Sequence, residues 1–129
     1  MRAKILLVED NEQNRYLASF LLEGRGHSVI PATSGSIALE LAVQVMPDLI
    51  LLDIQLPGMD GHDVARALKR DPRFERVPIV AVTSYAMVGD REKAFAAGAE
   101  GYIEKPINPE TFVDEVERFL VRPEQRVGP

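Results

Sequence analysis

Pro47-Asp48-Leu49-Ile50-Leu51-Leu52-Asp53 is the stretch on which the fold turns. Four consecutive aliphatic residues without polar alternation predict a strand covered on both faces, as in a parallel sheet held between two layers of helices. A proline that stops the preceding helix stands before the strand, and an ionisable aspartate closes it. Outward from there the pattern recurs in Ile5–Val8, Ser28–Ala32, Ile79–Val82 and Tyr102–Ile103, each run separated from the next by a longer stretch at helical spacing. A βα unit repeated five times makes an α/β fold with a mostly parallel sheet.

The intervening stretches read as five helices. The first is expected to begin near Asn11, to stack Leu17, Phe20 and Leu21 on its buried face and to end at Gly24 and Gly26. The second uses Ile37, Leu41 and Val45 and stops before Pro47; the third uses Val64, Ala65 and Leu68 and stops before Pro72. The fourth, from Gly89 to Ala97, is rich in alanine and poor in large apolar side chains, which predicts the weakest anchorage. The fifth is expected to open with Asn108 as cap and Pro109 as first helical residue, and to bury Phe112, Val116, Phe119 and Leu120. Residues 1–122 form the domain in this reading and 123–129 a short tail.

A length of 129 residues, 46% of them apolar and 27% charged, suits one domain with a real core. The formal charge of −5 offers no basic face to nucleic acid or to an anionic membrane, so the expected partners are proteins. No run approaches the roughly 20 apolar residues of a membrane span, and Ile5–Val8 is too short for a secretory leader. With no cysteine there is neither disulfide nor thiol chemistry, and the cytoplasm is the expected compartment.

In an open parallel sheet, ligands bind beyond the carboxyl ends of the strands, where the strand order reverses. The first strand ends on Glu9 and Asp10, the third on Asp53, the fourth on Thr83 and Ser84, and the fifth on Lys105. Carboxylates gathered at one edge would repel by roughly 3 kcal/mol per pair at about 5 Å and an effective dielectric near 20, so a cation must compensate. An all-oxygen site without His or Cys suits Mg²⁺, and Lys105 offers a second positive charge. A phosphoryl group held by both would face Asp53 as an in-line nucleophile, with the Thr83 hydroxyl as a further donor.

These residues resemble the receiver domains of two-component response regulators over the span from Lys4 to Leu120. The resemblance rests on Leu7-Val8-Glu9-Asp10-Asn11, the Pro47 to Asp53 stretch, Leu56-Pro57-Gly58-Met59-Asp60-Gly61, Val82-Thr83 and Tyr102-Ile103-Glu104-Lys105-Pro106. It implies a doubly wound, flavodoxin-like five-stranded sheet in the order 2-1-3-4-5 with five helices, an order the general description of such folds also gives for a receiver. It further implies that Asp53 is the phosphoacceptor and that Asp10, Asp53 and the backbone carbonyl of Gln55 ligate Mg²⁺, with Glu9 reaching the metal through water. Thr83 and Lys105 would then bind phosphoryl oxygens, the Lys105–Pro106 bond would be cis, and Tyr102 would turn inward with Thr83 as a switch. The implied partners are a sensor histidine kinase or a histidine phosphotransfer protein, and a downstream protein on the face of the fourth helix, fifth strand and fifth helix. With no output domain expected after the fifth helix, the resemblance implies output by docking or by relay, as in stand-alone cell-division regulators and hybrid-kinase receivers. Such a domain catalyses only its own phosphotransfer and dephosphorylation and is not otherwise an enzyme.

Gln55 and Tyr85 are expected to flank the path of hydrolytic water, and Met59 and Met87 to serve packing or a partner surface. His27 and His62 lack a second ligand at metal spacing and read as surface residues. The competing enzyme is a haloacid-dehalogenase-type phosphohydrolase, which needs a second Asp two residues after the first; that position holds Gln55. A flavin or nucleotide carrier would need a glycine-rich first loop, and Glu9-Asp10-Asn11-Glu12 is acidic and glycine-free. A receiver kept only for docking would be expected to have lost an acid, Thr83 or Lys105, and all are present.

Overall fold

The structure is a computed structural model that describes residues 2–84 and 88–120. Strands β1 (Lys4–Val8), β2 (Ser28–Ala32), β3 (Leu49–Asp53), β4 (Ile79–Thr83) and β5 (Gly101–Glu104) form one sheet in the order β2-β1-β3-β4-β5, every pairing parallel. Helices α1 (Glu12–Gly24), α2 (Gly35–Val45), α3 (Gly61–Arg70), α4 (Asp90–Ala96) and α5 (Phe112–Arg118) alternate with them, and a single 3-10 turn spans Pro72–Phe74. All of β3 and β4 is buried, as continuous aliphatic runs between two helical layers require.

Strand side chains alternate between two cores. Leu6, Val8, Ile50, Leu52, Ile79 and Ala81 pack with Ala38 and Ala42 of α2, Val64, Ala65 and Leu68 of α3, and Ala94 of α4. Ile5, Leu7, Leu49, Leu51, Val80, Val82 and Ile103 pack on the other face with Ala18 and Leu22 of α1 and Phe112, Val113 and Val116 of α5. The chain leaves β1 for β2 on one side and returns to β3 on the other, so the crevice of the doubly wound sheet opens at the carboxyl ends of β1 and β3.

Three local expectations are corrected. Helix α1 buries Ala18 and Leu22, with Leu17 and Leu21 half-buried, whereas Phe20 is 62% exposed and stacks on the exposed Tyr16 with ring centroids 6.2 Å apart. This helix is apolar around much of its circumference, so spacing alone did not select the inward face. Helix α2 likewise meets the sheet through Ala38 and Ala42, with Ile37 left exposed, because small residues permit the closer approach. Helix α5 starts at Phe112 and not at Pro109: Asn108 Oδ1 accepts from the Glu110 N–H at 2.9 Å and its carbonyl accepts from Thr111 and Phe112, which spends the cap on a turn. Phe119 and Leu120 lie just past that helix and are partly buried. Helix α4 has seven residues and buries only Ala94, in line with its alanine-rich sequence.

His27 is also corrected, from surface residue to buried element of the fold, 4% exposed. Its Nδ1 accepts from the Ala3 N–H at 3.0 Å, which leaves Nε2 to donate to Glu117 Oε2 on α5 at 2.7 Å. Arg25 completes the cluster with contacts of 3.1 Å to Glu117 and 3.0 Å to Asp114. His62 is half-buried, with Nδ1 3.1 Å from the Asp60 carboxylate. Met59 packs against the α2–α3 core, while Tyr85, Met87 and the tail from residue 121 lie outside the described residues.

Candidate functional site

Each acid reaches the crevice because its strand ends there. Val8 pairs with Leu52 in register, so Glu9 and Asp53 leave adjacent strands side by side. Ligand oxygens of Glu9, Asp10 and Asp53 all lie within 4.8 Å of one another. Glu9 and Asp53 are 4% exposed and Asp10 is open to solvent. The turn carrying the acids is braced locally: Asn11 caps α1 through Asn14, Glu9 Oε2 accepts from the Asn11 N–H at 3.1 Å, and Arg15 donates to the Glu9 and Asp10 carbonyls at 3.1 and 3.3 Å. The brace by Arg15 was not foreseen, since an arginine six residues beyond an acid carries no signal of its own.

The loop after Asp53 is fixed by a close approach that only glycine permits. A Cβ on Gly61 would stand 2.6 Å from Ile54 Cα and 2.7 Å from the Asp53 carbonyl oxygen, so α3 can begin directly beneath the end of β3. The Gln55 N–H donates to Asp53 Oδ1 at 2.9 Å. Lys105 Nζ donates to Glu9 Oε1 at 2.6 Å and to Asp53 Oδ2 at 3.2 Å, and its side chain is 8% exposed. The Lys105–Pro106 peptide is cis, as the resemblance implied.

One ammonium among converging carboxylates leaves negative charge in excess, and the titration follows. Burial pushes the Asp53 carboxyl up from 3.8 to about 6, hydrogen bonding with the Glu9 side chain and the charge of Glu9 push the same way, and Lys105 with the Gln55 N–H only partly oppose them. Burial alone would lower Lys105, but its bond to Glu9 and the charges of Asp53 and Glu9 outweigh it and raise the lysine. A donor set of three carboxylates, with no imidazole or thiolate among them, fits a hard divalent cation such as Mg²⁺.

Thr83, 2% exposed at the end of β4, faces this site from the neighbouring strand, with Asp53 paired to Val82. Gln55 reaches across to it: Nε2 donates to Thr83 Oγ1, and Oε1 accepts from the Ser84 N–H at 3.0 Å. Sequence placed Gln55 near the site, but its bridge to β4 joins residues 28 and 29 positions apart and could not be read. Tyr102 on β5 is half-buried, its hydroxyl is shielded and finds no hydrogen-bond partner among the described residues, and the Arg91 guanidinium lies 5.9 Å from its ring centre.

The model of the response regulator receiver domain family matches residues 5–117. The chain is 42% identical over 120 residues to the polar-differentiation response regulator DivK of Brucella ovis, covering 93% of this chain and 98% of that one. Among solved structures it resembles the chemotaxis response regulator CheY4 of Vibrio cholerae, with a TM-score of 0.87, 30% identity and coverage of 92% and 99%. It also resembles the Mn²⁺-bound form of response regulator Rcp1, with a TM-score of 0.77, 28% identity and coverage of 89% of each chain. The chain belongs to the response regulator receiver family and is a phosphorylation-dependent signalling switch of the two-component type. The haloacid-dehalogenase reading is thereby set aside. Receiver domains use Mg²⁺ at an acidic site and act with histidine kinases or phosphotransfer proteins and downstream targets.

Proposed function

We propose that in this receiver Asp53 accepts the phosphoryl group, with Asp10, Asp53 and the Gln55 carbonyl holding Mg²⁺ directly and Glu9 holding it through water. The observation that carries this is the convergence of Glu9, Asp10 and Asp53 within 4.8 Å, with Lys105 bonded to two of them. When bound, the cation neutralises the oxygens of the acid and of the incoming phosphoryl group. An Asp53 carboxylate oxygen attacks the phosphorus of a phosphohistidine in line, the P–N bond breaks, and its electron pair returns to the imidazole of the donor. Lys105, already oriented by Glu9 and Asp53, holds one phosphoryl oxygen, and the Thr83 hydroxyl holds another. Tyr102 reads the movement of Thr83 and passes it to the face of α4, β5 and α5, where a downstream protein docks. The receiver spans residues 1–122, residues 123–129 are a tail, and the protein works in the cytoplasm; no helix of the described residues is long and apolar enough to cross a membrane. Its only catalysis is on itself.

Incubation with Mg²⁺ and a small-molecule phosphodonor such as acetyl phosphate should add one phosphoryl group to the wild-type chain and none to Asp53→Asn, as read by intact-mass spectrometry. Equal labelling of the two proteins would sink the assignment.

A further inference from the structure

Gln55 reaches from the end of β3 to the end of β4, where it meets the Thr83 hydroxyl oxygen and the Ser84 backbone N–H. The Ser84 backbone nitrogen has one hydrogen, and it goes to Gln55 Oε1 at 3.0 Å. Because that N–H can only donate, the carboxamide is fixed with its oxygen toward Ser84 and its nitrogen toward Thr83, whose hydroxyl oxygen accepts from Nε2. The same residue's backbone N–H points at Asp53 Oδ1, 2.9 Å away, so the side chain spans the gap between the acid of β3 and the end of β4. A neutral carbonyl oxygen therefore stands where an anionic one would be held more strongly, since charge-assisted hydrogen bonds are roughly twice as strong as neutral ones. Gln55 is exposed, so once displaced its carboxamide passes into water at little cost.

We propose that the Gln55 carboxamide oxygen is an internal stand-in for a phosphoryl oxygen at the Ser84 N–H, occupying that donor while Nε2 tethers the Thr83 hydroxyl oxygen, until the phosphoryl group displaces it. Gln55 is thus a positioning residue that sets how readily the site is filled. The inference rests on the assignment of Asp53 and Thr83 above.

Beryllofluoride with Mg²⁺ serves as a tetrahedral phosphoryl mimic, its binding measured by calorimetry on wild type, Gln55→Ala, Gln55→Met and Asp53→Asn. Methionine keeps the length of glutamine and makes neither hydrogen bond. Both Gln55 variants should bind the probe about three- to tenfold more tightly than wild type, the worth of one competing neutral hydrogen bond. In the metal-free proteins the Ser84 amide should exchange its hydrogen at least about threefold faster in both variants, a readout independent of the loaded site. Unchanged or weaker probe binding in both variants overturns the inference, as does a gain in Gln55→Ala alone, which would indicate bulk and not hydrogen bonding. Wild type that fails to bind beryllofluoride, or binds it no better than Asp53→Asn, overturns the Asp53 assignment and this inference with it. Wild type that binds while the Gln55 variants bind no tighter overturns this inference alone.

Discussion

Two charged clusters sit at opposite ends of the sheet, and they are built to opposite rules. At the amino ends of the strands, His27, Glu117, Arg25 and Asp114 form a set in which each acid meets a donor, and buried His27 has both ring nitrogens engaged. At the carboxyl ends, Glu9, Asp10 and Asp53 converge, and the Lys105 ammonium bonds to Glu9 and Asp53. The first cluster joins β1, β2 and α5 and asks for nothing more. The second is left short of positive charge, and burial pushes its central acid up to about 6. Charge left unbalanced by the chain marks where a ligand supplies the balance, whereas a satisfied set marks architecture.

The largest effect that could break this contrast is expected at Lys105. Lys105→Ala leaves Glu9 and Asp53 buried without their cation and should cost about 3 kcal/mol or more in metal-free urea denaturation, with millimolar Mg²⁺ recovering part of the loss. A variant as stable as wild type would show that the site carries no excess charge. Next, Mg²⁺ at about a hundred times its dissociation constant should stabilise the protein by about 2.7 kcal/mol, or roughly 10 °C in melting temperature. That gain should fade below pH 6, because a proton then competes for Asp53. Without metal the sign reverses. The native state holds the Asp53 proton between about 3.8 and 6 and the unfolded chain does not, so this contribution is full below 3.8 and lost as pH rises through 6. Asp53→Asn should therefore raise the metal-free melting temperature above pH 6 and not below pH 4.

At the other cluster, Glu117→Ala leaves the buried Nε2–H of His27 without its acceptor and should cost about 1–3 kcal/mol in denaturant, with phosphodonor labelling unchanged. A loss of labelling there would mean that the two ends are coupled. The smallest effect belongs to Arg25→Ala, whose ion pairs are half-exposed and worth about 0.2–1 kcal/mol between them.

The same contrast explains what could be read from sequence. The strand cores are legible to within a residue or two, because a buried parallel strand is written as an unbroken aliphatic run, and the acids, Thr83 and Lys105 stand at the ends of those runs. The amino-end cluster is not legible: His27 and Glu117 are 90 residues apart, and neither has a local pattern. The buried face of α1 failed for a different reason, since Tyr16, Leu17, Phe20, Leu21 and Leu22 surround the helix and only the packing of Ala18 and Leu22 chooses among them. The start of α5 failed because Asn108 and Pro109 suit a turn as well as a helix cap.

The strand order has a consequence for the life of the chain during its synthesis. Asp53 lies 52 residues before the lysine that engages it, and Glu9 lies 96 residues before. At about 5–20 residues per second a ribosome needs roughly 5–20 s to go from the first acids to Lys105. Throughout that interval β5, one of the two edge strands, is missing, and the acids lack their ammonium. A nascent chain therefore carries the acids for that interval without the lysine that orders them, and the cluster is assembled only once β5 has joined the sheet.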